Sequence, residues 1–117
     1  MRVARAFAKS EVDVELLSIN FQDESYLRPD GFRATAPLER SIHDVVELKH
    51  ERRVALLRDL LNNAAESTDA EYLIYSNVDI ALMPHFYTTV NYYIEAGHDA
   101  LILNRRSIPD QYRHVEE

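Results

Sequence analysis

The stretch Tyr72-Leu73-Ile74-Tyr75-Ser76-Asn77-Val78-Asp79-Ile80-Ala81-Leu82-Met83-Pro84-His85-Phe86 decides how the chain is read, because a short polar turn in it joins a strand pattern to a helix start. Residues 72–75 form an apolar run without alternation, as in a parallel strand covered on both faces, and Ser76 and Asn77 end it with polar groups. Pro84 suits the first turn of a helix, where its missing N–H would have had no intrahelical partner. Asn77 and Asp79 then fall just past the carboxyl end of a central strand, the edge at which open α/β sheets bind ligands.

Downstream, residues 84–96 predict a helix that buries Phe86, Val90, Tyr93 and Ile94 on one face, with Gly97 placed to end it. Residues 100–103 are another short apolar strand candidate. Strand, helix and strand make a right-handed βαβ unit with parallel strands, so Asn104, Arg105 and Arg106 should emerge at the same edge as Asn77 and Asp79. A carboxylate and two arginines at one edge suit a phosphate or diphosphate with a bridging divalent ion, since Asp79 offers hard oxygen and an arginine offers paired donors. Asn77 would orient Asp79 or supply a neutral oxygen. The plainer alternative makes Asp79 a cap for the helix near Pro84 and leaves Arg105 and Arg106 solvated at a strand end.

The stretch resembles the Asp-x-Asp region of GT-A type glycosyltransferases, which transfer a sugar from a nucleotide diphosphate donor. The motif stands here as Asn77-Val78-Asp79, with Asn in the place of the first Asp, and Pro84 and Phe86 match the family's Pro-aromatic helix start. With the strand before it, the helix and the next strand, the resemblance spans about half the chain. It implies a three-layer α/β/α fold with a mostly parallel sheet, resembling part of a GT-A nucleotide-diphospho-sugar transferase. It also implies a divalent ion, Mn2+ or Mg2+, held by Asp79 against the donor's diphosphate, with Asn77, Arg105 and Arg106 on the donor. Catalysis would be electrostatic, stabilising the leaving diphosphate. The family's opening strand and helix, which hold the nucleoside, and its later acceptor region have no counterpart in the pattern. The chain therefore reads as a single α/β domain over 1–117 and an incomplete GT-A-like one.

Composition bounds the alternatives. At 117 residues, 46% hydrophobic and 28% charged, with 2 Gly and 4 Pro, this is one globular domain. The 20 acidic against 13 basic residues give a charge of −7, which opposes general binding to nucleic acid or an anionic membrane surface. Having no cysteine excludes disulfides, thiolate metal sites and a Cys nucleophile. With Gly31 and Gly97 as the only glycines, no Gly-rich phosphate loop is possible. No apolar run approaches the roughly 20 residues of a membrane helix, and the default expectation is a soluble cytoplasmic chain. The five histidines, His43, His50, His85, His98 and His114, lack metal spacing; His85, in the turn after Asp79, is the one placed to reach a ligand.

Upstream, residues 2–9 predict a short helix with Val3 and Phe7 on one face, and residues 12–19 a strand. Asn20, Gln22, Asp23 and Glu24 follow that strand's carboxyl end as an acidic loop. Residues 21–37 are irregular and contain the turn signal Pro29-Asp30-Gly31. Ser41 with Asp44 forms a weak capping box. Residues 49–65 predict the strongest helix, with Val54, Leu57, Leu60, Leu61 and Ala64 as its apolar stripe. The tyrosines at 72, 75, 87, 92 and 93 read as packing residues with wet hydroxyls.

Two functions follow: a domain binding a nucleotide-diphosphate sugar through a divalent metal, a glycosyltransferase if active, or a non-catalytic α/β module acting in nucleotide binding or protein association. A sheet without its opening strand would expose an apolar edge, so homo-oligomers are expected.

Overall fold

The structure, a computed structural model, describes residues 1–49, 53–77, 79–107 and 109. His50 to Arg52 of the expected long helix, Val78 of the Asn-x-Asp motif and the tail after Pro109 lie outside the described residues. Helices are combined with a two-stranded parallel sheet, a mixed α/β arrangement.

The first helix, α1 (Arg2–Ala8), forms where alanines and arginines favour helix, and it packs against α3 (Phe86–Glu95). The expected face of α1 is reversed. Ala4 and Ala8 are 0% exposed, whereas Val3 and Phe7 are 63% and 56% exposed. Both pairs have the i, i+4 spacing, so periodicity alone does not choose between them. Alanine lets the α1 backbone approach closely, and Leu16 and Tyr87 fill the space against it, with Val12, Val14 and Phe86 packed around.

The strand expected over residues 12–19 pairs only at β1 (Leu17–Ser18), and its partner is β2 (Arg33–Ala34), from within the segment expected to be irregular. The strands are parallel, Leu17 opposite Arg33, and the pairing runs on to a bridge between Phe21 and Leu38. Arg33 N–H donates to Leu16 O (2.9 Å), Thr35 N–H to Ser18 O (3.3 Å) and Leu38 N–H to Asn20 O (2.9 Å). The connection contains a 3₁₀ helix (Gln22–Leu27) and a turn in which Phe32 N–H donates to Pro29 O. Gly31 takes φ +82° at the third position of that turn, the conformation a type II turn requires. Pro29 therefore precedes the central pair, and does not preset one of its dihedrals.

Ser41 caps a short 3₁₀ helix (Ile42–Asp44) with the full capping box: its hydroxyl accepts from His43 N–H and its own N–H donates to the Asp44 carboxylate. Ile42 N–H donates to Val54 O, and Ser41 bridges Ala55. Val54 and Ala55 are thereby drawn out of the helix expected from residue 49, and α2 (Leu57–Ser67) begins after them. Polar tethers hold α2. Arg40 makes a bidentate pair with Asp59, Asn63 donates to Ala36 O, Arg33 to Ser67 O, and Thr68 to Glu15.

Residues 72–75 and 100–103, both expected as strands, carry no ladder among the described residues, and their side chains are exposed. An apolar run marks strand capacity; pairing also needs a neighbouring edge, and the edge of β2 that is paired among the described residues is held by β1. The parallel sheet that was to bring residues 72–75 and 100–103 together is therefore not formed by them. Helix α3 begins at Phe86, after a turn in which Phe86 N–H donates to Met83 O and Pro84 holds a central position. Pro84 is thus outside the helix and not in its first turn. The inward stripe of α3 is Tyr87 and Val90, flanked by Phe86 and Ile94, while Tyr93 is exposed. Of the five tyrosines expected to pack, Tyr87 is buried and the others are exposed. Gly97 ends α3 as expected: at φ +91° it lets His98 N–H reach Tyr93 O (3.1 Å) and its own N–H reach Ile94 O (2.9 Å), a Schellman motif. The Tyr93 and His98 rings meet across it.

The burial of α1 gives a direct test. Ala4→Leu should cost about 1–3 kcal/mol by overpacking the contact with Tyr87, whereas Val3→Ala should change stability by less than about 0.5 kcal/mol. Urea unfolding of both variants measures this; the opposite order would restore the Val3 face as the buried one.

Candidate functional site

An open groove of about 470 Å³ lies where the chain leaves the carboxyl ends of β1 and β2. Asn20 and Phe21, just past β1, and Leu38, past β2, line it together with Arg53, Tyr75 and Asn77. The pairing continues past both strands to the Phe21–Leu38 bridge, and the groove opens there, at the carboxyl end of the parallel pair, the end at which α/β proteins bind ligands.

Phe21 and Leu38 are buried and set the floor. The Arg53 guanidinium lies 4.0 Å from the centroid of the Phe21 ring, a cation–π contact. Its Nη2 donates to Asp23 Oδ1 at 2.8 Å and to Glu24 Oε1 at 2.9 Å. The hydrogen bond from Arg53 is the main cause of the lowered Asp23 pKa, and the two carboxylates raise that of Arg53. Tyr75 Oη donates to Asn77 Oδ1 at 3.0 Å, which engages the amide oxygen and leaves the amide nitrogen its donor capacity. Asn20 accepts from the Ser18 hydroxyl.

The residues singled out in the sequence are distributed unevenly about this groove. Asn77 lines it. Asp79 is exposed in the turn that follows, where Ile80 N–H donates to Asn77 O, and it does not line the groove. The alternative role of Asp79 as a helix cap is excluded: the cap of α3 is His85, whose carbonyl accepts from Thr89 N–H and from the hydroxyls of Thr88 and Thr89. His85 is exposed and away from the groove lining. Arg105 and Arg106 are exposed on an extended segment, outside the groove lining and without a hydrogen bond or ion pair among the described residues. The expected shared sheet edge does not bring them to Asp79. Asn20 and Glu24, expected as part of an acidic loop after the first strand, line the groove together with Asn77. Arg53 was missed, because a helical pattern from residue 49 puts it on a solvated face. The signal available was Val54-Ala55-Leu56, an apolar triplet that breaks helical spacing.

Among the described residues no three His, Asp or Glu side chains gather to hold a metal ion. An ion bridging a carboxylate to a diphosphate takes one or two protein ligands and draws the rest from phosphate and water, and Asp79 supplies the hard oxygen that such an ion prefers. No helix among the described residues is long and apolar enough to cross a membrane. No protein-family model, curated protein or solved structure matches the chain.

The lowered Asp23 pKa carries a sign. A carboxylate whose folded pKa is depressed contributes stability above its unfolded pKa and loses it as pH falls through the folded value. Asp23 should therefore titrate below the ordinary carboxylate range in NMR-monitored acid titration, and Arg53→Ala should return it to that range. An unchanged Asp23 midpoint in Arg53→Ala would show that the ion pair does not form in solution.

Proposed function

We propose that the chain is a GT-A-like domain that binds a nucleotide-diphosphate sugar through a divalent ion, Mn2+ or Mg2+, at Asp79. The observation that carries this reading is the position of Asn77, on the wall of a groove at the carboxyl ends of two parallel strands, within the motif Asn77-Val78-Asp79. In this reading the groove receives the neutral and aromatic parts of the donor against Phe21 and Tyr75, and Asn77 donates to it. Asp79 holds the ion at the rim. Arg105 and Arg106 supply phosphate contacts once the donor is bound, and the mixed α/β fold is part of a three-layer GT-A arrangement. The ion, when bound, neutralises charge on the diphosphate, and with a suitable acceptor that stabilises it as a leaving group. Every other contribution is binding and orientation, and no residue is assigned as a base.

A second reading rests on a separate observation. Segments 72–75 and 100–103, expected as strand edges, have no strand partner among the described residues and carry exposed apolar side chains, Ile102 at 96% exposure. Such an edge favours association with a second copy, and a non-catalytic module would function through it. A monomer mass by light scattering at all concentrations would remove that reading.

Metal and nucleotide together should stabilise the wild type, by about 2.7 kcal/mol at ligand one hundred times Kd. Asp79→Ala should abolish the response to manganese and UDP while leaving the ligand-free melting temperature unchanged, because Asp79 caps no helix. Asn77→Asp, which restores a second carboxylate, should strengthen manganese binding. Thermal unfolding with and without manganese and UDP measures all three. No manganese response in the wild type and none in Asn77→Asp would end the metal reading.

A further inference from the structure

Arg53 and Glu24 are the charged residues lining the groove; its other lining side chains are apolar or neutral and polar. Arg53 is fixed in two independent ways, by its stack on Phe21 and by its pairs with Asp23 and Glu24. Only the second can be exchanged for a ligand. The stack holds the guanidinium plane at the groove while the carboxylates, exposed enough to rotate into solvent, let go of Nη2. A guanidinium has five N–H donors in a rigid fork matched to phosphate oxygens, and among the described residues both ion pairs of Arg53 fall on the same nitrogen.

We infer that Arg53 is the anion-recognising residue of the groove and that Asp23 and Glu24 are its built-in competitors, which a diphosphate displaces and a singly charged anion does not. The inference rests on the reading that the groove takes a phosphorylated ligand. It assigns the phosphate contact within the groove to Arg53, a residue outside the Asn-x-Asp motif. Two carboxylates already balance the charge of Arg53, so an entering anion must bring at least comparable charge to the fork. Diphosphate does so, whereas chloride or acetate does not.

Calorimetric titration of the full chain with inorganic pyrophosphate, without metal, tests this. The double variant Asp23→Asn, Glu24→Gln should bind pyrophosphate more tightly than the wild type, by roughly fivefold for each competitor removed, and should begin to bind acetate. Adding Arg53→Gln to it should abolish both gains, and Arg53→Gln alone should weaken pyrophosphate binding in the native acidic background. Glu11→Gln with Asp13→Asn, exposed carboxylates outside the groove lining, controls for the change in net charge. Equal gains in that control, or a gain that survives Arg53→Gln, would overturn the inference. Should the double variant fail to fold, an unweakened Arg53→Gln alone would overturn it equally. The two proposals fail separately: manganese-dependent UDP binding without the Arg53-dependent gain leaves the donor reading and removes the competitors, and the reverse result leaves Arg53 as an anion site and removes the donor reading.

Discussion

Backbone hydrogen bonds from Arg33 to Leu16, Thr35 to Ser18 and Leu38 to Asn20 hold the first strand against the second, and the groove depends on them. They set Phe21 beside Leu38, and both side chains are buried there. Phe21 in turn gives Arg53 a surface to stack on, while Asp23 and Glu24, in the first turn of the 3₁₀ helix after Phe21, are carried to the same guanidinium. A shift of one residue in this register would point Phe21 to the other face of the pair and dismantle the arrangement. The closure between Ile42 and Val54 acts from the other side, since it ends the preceding loop and delivers Arg53 next to the groove. Exposed ion pairs contribute little to stability by themselves. Here they select one conformation for a cation that the backbone has already brought into place.

What could be read from the sequence was local chemistry. Gly97 ends α3 because its left-handed φ is open to glycine, and the Ser41 and Asp44 pair forms its reciprocal bonds because three residues separate them. Val90 was legible as an inward position of α3. The α1 face was not, because Val3 with Phe7 and Ala4 with Ala8 obey the same period, and the choice fell to shape complementarity with Tyr87. Nor was the start of α2, since the pull of Ser41 and Ile42 on Val54 and Ala55 is a tertiary bond between distant residues. For residues 72–75 and 100–103, apolar content predicted strands that the described structure does not pair.

The site divides along the same line. Asn77 was legible because it ends an apolar run, and it does line the groove. Asn20 and Glu24 were read only as part of an acidic loop after the first strand, and their place in the groove was not legible. Arg105 and Arg106 were assigned through a parallel sheet that residues 72–75 and 100–103 do not form among the described residues, so the sheet is not what would bring them to a phosphate. Arg53 could not be found from helical periodicity, because its position follows from a loop closure and an aromatic stack. The groove is thus built from four separate segments of chain, three of them placed by backbone pairing, rather than by a single motif.

The most direct measurement is a two-dimensional NMR titration of the wild-type chain with UDP and a diamagnetic divalent ion, followed by trace manganese. If the groove at the carboxyl ends of β1 and β2 binds the donor, amide shifts should concentrate at residues 19–24, Arg53 and residues 75–77, and manganese should broaden Asp79 most strongly. Shifts confined to other parts of the chain, or no shifts at saturating UDP, would contradict it.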